Sequence, residues 1–283
     1  MRTALRNALV AGGVLPVLLA ATACGTEDPA DTPRAEPAAS SPSASGTAVV
    51  GFDFDELGAL EQAGVLGTGA LPLTNTAPQP VTVRVATVAG GSLRAERGRE
   101  GGYAARFPAY SSGDPRRVVV MTFAAGNDDP LGPGSADFSF GAEFTLDPLS
   151  EEDGLDDGNN LVQRGLSADP AQYKIQIDHG RASCRIAGDD GEVLVKSQQT
   201  IEPETWYRVS CTRSGDDVTL ELRSFDGSAG ERTVGSGATG AIRLPSTTPL
   251  VMGGKATSEG EAVKGNSDQF NGAIDNVFLT RDP

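Results

Sequence analysis

The chain has 283 residues, with 23 Lys and Arg against 38 Asp and Glu, for a formal charge of −15. That balance argues against nucleic acid as a partner, because a phosphate backbone is gripped by clustered cations, and against docking on an anionic lipid surface by charge alone. One histidine and three cysteines give no zinc-site spacing.

In chain order, residues 1–23 read as a signal peptide. Arg2 and Arg6 form a positive n-region. Ala8 to Ala20 is an apolar stretch too short, and too interrupted by Gly12, Gly13 and Pro16, to span a bilayer. The "AATAC" that follows resembles a bacterial lipobox with Cys24 as the lipidated residue. Ala21 stands where a lipobox usually has Leu, and an ordinary secretory signal with a stray cysteine is the alternative. The lipobox reading implies a protein anchored by lipid at the extracytoplasmic face of the cell membrane. Stable anchoring takes more than one acyl chain, which a diacyl or triacyl cysteine provides. Cleavage there removes Arg2 and Arg6 and no acid, so the mature chain is more acidic still.

Residues 24–47 are dominated by Pro, Ala, Ser and Thr. Such a segment cannot bury enough surface to offset its ordering entropy. It reads as a disordered tether that reaches on the order of 70 Å at about 3 Å per residue. Export also bears on the cysteines. If Cys24 carries lipid, Cys184 and Cys211 remain, and an oxidising compartment favours their pairing. The bridge would contribute roughly 3–4 kcal/mol; two separate buried thiols are the alternative.

Residues 48–283 form one domain of predicted strands. "AVVGFDFDE" (48–56) puts Val50, Phe52 and Phe54 in phase. "DELGALEQAGVLG" (55–67) allows one short helix. Val81, Val83 and Val85 share a face, as do Phe138, Phe140, Ala142, Phe144 and Leu146. Val118 to Phe123 is continuously apolar and suits a central strand covered on both faces. "YKIQI" (173–177), "ASCRI" (182–186), "WYRVSCTR" (206–213) and "VTLELR" (218–223) are further half-buried strand signals. Polar turns such as "IDHGR", "GDDGE" and "RSGDD" separate them. Many strands, short links and no crossover helices predict an all-β antiparallel sandwich.

The C-terminal "DQFNGAIDNVFLTRD" (268–282) carries Phe270, Ile274, Val277, Phe278 and Leu279. It is predicted to pair with the 48–56 strand. Ile274 to Val277 is an odd step. Placing Ile274, Val277 and Leu279 together in the core requires a bulge at Asp275-Asn276. The competing phase keeps Ile274 with Phe278 and needs none.

"NNLVQRG", "YKIQIDHGRASCRI", "WYRVSCTRSGDDVTLEL", "PLVMGGK" and "FNGAIDNVFL" occur in this order. Together they resemble a laminin-G-like domain of the concanavalin-A-like lectin/glucanase superfamily, over roughly residues 136–281. The resemblance implies a jelly-roll of two curved sheets, Trp206 in the core, and a tight bend at Gly253 and Gly254. It also implies binding of glycan, protein or steroid ligands, often beside calcium. Other superfamily members hydrolyse glycosides, and fold alone does not choose.

No strand carries the Glu-x-Asp-x-x-Glu spacing that a retaining glucanase of that superfamily uses. Glu143 stands alone among phenylalanines, Glu221 is a polar-face residue, and "EEDGLDDGNN" reads as a solvated loop. His179 sits in a hairpin turn. For calcium the chain offers Asp53, Asp55, Asn127, Asp128, Asp129, Asp156, Asp157, Asn159, Asn160, Asp275 and Asn276. Pairing of the first and last strands would bring Asp53 towards Asp275 and Asn276, the expected ligands; turn caps and solubilising charge are the alternative. Of the aromatics, Tyr207 is predicted opposite Trp206, and Tyr103, Tyr110 and Tyr173 are unplaced, so an aromatic sugar platform is not expected. The expected function is non-catalytic binding of a glycan or protein at the cell surface by a monomer. A divergent glycoside hydrolase or lyase, and a structural envelope protein, are the alternatives.

Overall fold

The computed structural model describes residues 46–282, except 111, 112, 114, 115, 127, 149–157, 266 and 267. The signal peptide, Cys24 and the tether up to residue 45 lie outside the described residues. In chain order the elements are β1 (Thr47–Phe52), the helix α1 (Leu57–Gln62), β2 (Gly69–Ala70), β3 (Val81–Val88), β4 (Arg94–Arg97), β5 (Tyr103–Arg106), β6 (Arg117–Ala124), β7 (Phe138–Leu146) and β8 (Gly158–Arg164). They continue with β9 (Gln172–Asp178), β10 (Arg181–Gly188), β11 (Gly191–Lys196), β12 (Tyr207–Ser214), β13 (Asp217–Ser224), β14 (Glu231–Ser236), β15 (Leu250–Met252) and β16 (Gly272–Arg281). Among the described residues, no helix is long and apolar enough to cross a membrane.

The strands form an antiparallel jelly-roll sandwich of two eight-stranded sheets. The first sheet runs β14-β13-β12-β7-β16-β5-β4, with β1 also paired to β16; the second runs β11-β10-β9-β8-β15-β6-β3-β2. Period-two alternation sends Phe138, Phe140, Ala142 and Phe144 of β7 and Tyr173, Ile175 and Ile177 of β9 into one shared core. The continuous apolar run of β6 is covered on both faces, as expected. Val118 and Val120 join the main core, while Val119 and Met121 pack with Val251 and Ala256 in a second cluster.

Cys184 on β10 and Cys211 on β12 form a disulfide between the sheets, with Cα atoms 6.1 Å apart. Gly253 ends β15 at φ +82, where an added Cβ would stand 1.9 Å from the Phe107 ring. That is the bend implied for "MGG". Trp206 departs from expectation: it is half-buried just before β12, and Tyr207 is the core residue. The alternation explains this. Tyr207 is in phase with buried Val209 and Cys211, which leaves Trp206 in phase with Arg208 and Ser210.

β16 pairs with β1 and is interior to the first sheet: β7 flanks it along one side, while β5 and then β1 flank the other. Between Asp275↔Glu143 and Phe278↔Gly141, β16 advances one residue more than β7. Asn276 takes φ +46 there. The bulge keeps Ile274, Val277 and Leu279 in the core and turns Phe278 outward. It sits where the neighbour of β16 changes from β5 to β1.

Candidate functional site

Three places concentrate polar chemistry. The first is the seam beside the bulge. Asp275 is 7% exposed, and its Oδ1 accepts the Asn276 N–H at 2.7 Å. Burial pushes its carboxyl up to about 7, helped by the nearby charges of Glu143, Asp55 and Asp53. Asp53 and Asp55 lie near enough for their charges to act on Asp275. Their oxygens are engaged as loop caps: Asp53 Oδ1 accepts the Asp55 N–H at 3.2 Å, and Asp55 Oδ1 the Tyr103 N–H at 3.0 Å. Among the described residues, no group of three or more His, Cys, Asp or Glu is arranged to hold a metal ion.

The tip of the β4–β5 hairpin lies over this seam. A Cβ on Gly102 would meet Asp55 Oδ1 at 1.7 Å, and one on Gly98 would meet Asp275 Oδ2 at 3.0 Å. Arg99 reaches from the tip to Glu143, Nη2 to Oε2 at 3.3 Å, and stacks 3.7 Å from the Phe225 ring centre. Arg208 closes on the other oxygen of Glu143 at 3.8 Å. Glu143 and Asp275 face each other across neighbouring strands, the nearest thing to an acid pair. Both are buried, with Glu143 under Arg99 and Arg208 and Asp275 under the Gly98 backbone.

The second place is the outer face of the second sheet. Alternation points Lys174 and Gln176 of β9 away from the core that holds Tyr173, Ile175 and Ile177. Gln163 lies directly opposite Lys174, and Asn160 opposite Gln176. A bulge between Asn160 and Val162 makes this possible, because it turns two polar residues of β8 to one face. Asn160 Nδ2 donates to Gln163 Oε1 at 2.6 Å, and the Lys174 ammonium donates to Gln176 Oε1. These four side chains form a square on rigid strands. On its far side Arg185 and Ser183 of β10 stand opposite Lys174 and Gln176.

The square is incompletely satisfied. Asn160 is fully buried, yet its Oδ1 has no hydrogen-bond partner. Lys174 makes one hydrogen bond and no ion pair among the described residues. Burial pushes its amine down to about 8; Lys255 and Arg185 push the same way, and Asp268 and Asp178 oppose them. Its cationic neighbours have counter-ions: Arg185 pairs with Glu192, and Lys255 with Asp268 at 2.5 Å. Asn160 N–H also donates to the Asp268 carbonyl at 3.0 Å, which ties the 268–271 segment to β8.

The third place is an open depression of about 410 Å³ at the rim, lined by Asp189, Asp190, Arg213, Asp216 and Arg243 with the 238–241 backbone. Arg213 is committed there to carbonyls, at 2.9 Å from both Gly240 O and Gly134 O, and Arg243 pairs with Asp189. These contacts hold the rim together.

The remaining sequence candidates have structural roles. His179 is an exposed turn residue at φ +50, bonded to Asp178. Asp129 is the counter-ion of buried Arg164, and Asn159 Oδ1 accepts the Asn271 N–H at 2.7 Å. Asn127, Asp156 and Asp157 lie outside the described residues. The square itself went unread in the sequence apart from the outward phase of Lys174 and Gln176.

The laminin G domain family model matches residues 160–283. Among solved structures, the fold is similar to the binding domain of Paraclostridial Mosquitocidal Protein 1, at 14% identity and a TM-score of 0.52, over 83% of this chain and 49% of that one. It is also similar to the botulinum neurotoxin serotype D/C VPI 5993 binding domain, at 10% identity and a TM-score of 0.51, over 83% and 48%. The LG1-3 region of the laminin alpha2 chain aligns at 13% identity over 52% of this chain and 30% of that one, with a TM-score of 0.41. The chain spans about half the length of the toxin binding domains it matches, and at these identities the likeness is one of fold. No curated protein sequence matches the chain.

Proposed function

We propose that the laminin-G-like domain of this chain is a non-catalytic glycan-binding module, held outside the cytoplasm by lipid on Cys24, with Lys174, Gln176 and Arg185 on the outer face of the second sheet as its binding face. One observation carries the reading: Lys174 and Gln176 of β9 and Arg185 of β10 stand partly exposed side by side on paired strands, over a polar floor of Asn160 and Gln163. Sugar hydroxyls both donate and accept, and so suit such a face. The reading uses no enzyme chemistry, since Glu143 and Asp275 are both buried and Glu143 is paired with Arg99 and Arg208.

The test is binding of the purified full-length protein to a broad glycan array, beside a Gln176→Ala variant that melts like the parent. Selective signals that fall in the variant support the proposal. Signals that persist unchanged would move the site elsewhere, and an empty array would favour a protein ligand or a structural role. The anchor is tested separately: labelled fatty acid enters the wild-type chain, and Cys24→Ser abolishes both labelling and membrane retention.

Calcium has no part in this reading. Thermal melts in calcium and in chelator are expected to coincide. A midpoint that climbs with calcium would restore Asp53, Asp275 and Asn276 as ligands.

A further inference from the structure

We propose that β11 is a self-association edge: two copies of the chain pair antiparallel along it, about a two-fold axis at Leu194, and join their second sheets into one. The partner is thus a second copy, where the sequence reading expects a monomer. The proposal does not depend on the glycan-binding reading.

β11 ends the second sheet, and among the described residues no strand pairs with its outer edge. The turn at Asp189 and Asp190 sets which residues face that edge. Gly188 and Gly191 close the hairpin, and a two-residue turn makes the closing pair a hydrogen-bonded one. Bonding to β10 then recurs at every second residue, through Val193 and Val195, and Ser197 N–H donates to the Ala182 carbonyl in the same phase. Glu192, Leu194 and Lys196 are left with backbone N–H and C=O directed away from β10. Their side chains share the outer face, since Val193 and Val195 fill the core. Leu194 is 59% exposed, the most of any large hydrophobic residue among those described. The strand has neither the proline nor the bulge that blunts many sheet edges.

Alternation and side chains together select one register. Only residues with outward backbone groups bond across the edge, so Glu192, Leu194 and Lys196 pair among themselves. Centred on Leu194, the pairing sets Leu194 against the partner's Leu194 and Glu192 against the partner's Lys196, twice by symmetry. Apolar and unlike-charged pairs directly opposite each other stabilise a sheet, and like charges weaken it. A slip of two residues either way would set Leu194 against Glu192 or Lys196 instead. Within one chain Glu192 already meets Arg185, and Lys196 meets Asp178. The new pairs therefore extend each into a row of alternating charge across the seam: Asp178, Lys196, the partner's Glu192, the partner's Arg185. Opposite side chains lie on one face of a sheet, so the outer faces of both copies point the same way.

The test is cross-linking of the full-length chain in the envelope of cells that make it. Hydrogen-bonded residues directly opposite on antiparallel strands stand about 5.5 Å apart at Cα, within reach of a disulfide. Leu194→Cys is expected to run at twice the chain's mass without reductant and at the single mass with it. Wild type and Val234→Cys, at an exposed site on β14, are expected to stay single. In the Leu194→Cys background, Glu192→Lys is expected to lower the cross-linked fraction about three- to tenfold, and adding Lys196→Glu to restore it. That rescue is specific to the seam, because inside one chain the exchange sets Lys beside Arg185 and Glu beside Asp178. A single-mass Leu194→Cys, equal cross-linking of Val234→Cys, or no rescue overturns the proposal. Should Leu194→Cys fail to fold, sedimentation of the purified wild-type chain decides: a mass that stays at one copy across a concentration series overturns it, and a rise to two copies that Leu194→Lys abolishes supports it.

Discussion

Arg164 is a fully buried guanidinium, and what surrounds it shows why acidic residues in a sequence resist functional reading. Its Nη2 meets both oxygens of Asp129 at 2.9 and 3.0 Å, and its Nε donates to the Thr248 carbonyl at 3.0 Å. Asp129, a calcium candidate in the sequence, is thus a counter-ion. Asp129→Ala is expected to destabilise the domain by roughly 3–5 kcal/mol, because it strands a buried charge; denaturant unfolding measures this, with Asp128→Ala, at an exposed neighbour, as the control near zero. Lys174 supports a pH prediction. Its amine, pushed down to about 8 among Arg185, Lys255, Asp268 and Asp178, loses its charge as pH rises through that value. Affinity for a glycan that accepts a hydrogen bond from this ammonium is expected to fall across the same range, as a titration series from about pH 6 to about pH 10 reads directly. The outward phase of Lys174 was legible in "YKIQI". Its partners Asn160 and Gln163 were not, because the bulge that turns both outward leaves no signature in "NNLVQRG".

The last strand carries the structure's clearest local device. Its odd step from Ile274 to Val277 made the bulge readable, and the apolar phase of 48–56 made its partner readable. The hairpin that roofs the bulge was not readable. β4 and β5 come from "RAERGREGGYAAR", which has no alternation, because their tip is placed by contacts with Asp55, Asp275 and Glu143 that are distant in sequence. Trp206 teaches the converse: the family resemblance placed it in the core with Tyr207 opposite, and the structure has the two the other way round. Two predictions belong to the bulge. Asn276 holds φ +46, so Asn276→Val is expected to cost about 1–2 kcal/mol while Asn276→Gly stays close to wild type. Asp275 gives the pH dependence. Its folded-state pKa of about 7 lies above the ordinary 3.8, so the folded chain keeps a proton that the unfolded chain releases. Its contribution to stability is full below about 4, falls as pH rises, and is lost above about 7. Thermal midpoints of wild type and Asp275→Asn are expected to diverge over that window, with the variant gaining relative stability towards alkaline pH.

At the scale of the molecule, two sheets share one core, and a disulfide joins them. Cys184 lies in the second sheet and Cys211 in the first, 27 residues apart in sequence and fully buried. Between them the chain completes β10, forms β11, and crosses to β12, so the bridge closes the loop that carries it from one sheet to the other. Closing a loop of that length removes freedom from the unfolded chain worth about 3 kcal/mol. In a domain of this size each kcal/mol moves the midpoint by about 2–4 °C. The double variant Cys184→Ala, Cys211→Ala is therefore expected to melt roughly 6–12 °C lower. Reductant added to the folded wild type is expected to act slowly, because neither sulfur is exposed and attack waits for opening. Kinetics then separate the causes. If the bridge works by restricting the unfolded chain, the variant refolds more slowly and unfolds at nearly the parent rate. If it works by clamping the finished sheets together, the unfolding rate rises instead. The first outcome is expected here, because Val209, Leu220, Ile175 and Ile186 pack in the same core as the cysteines and hold the sheets in contact without the bond.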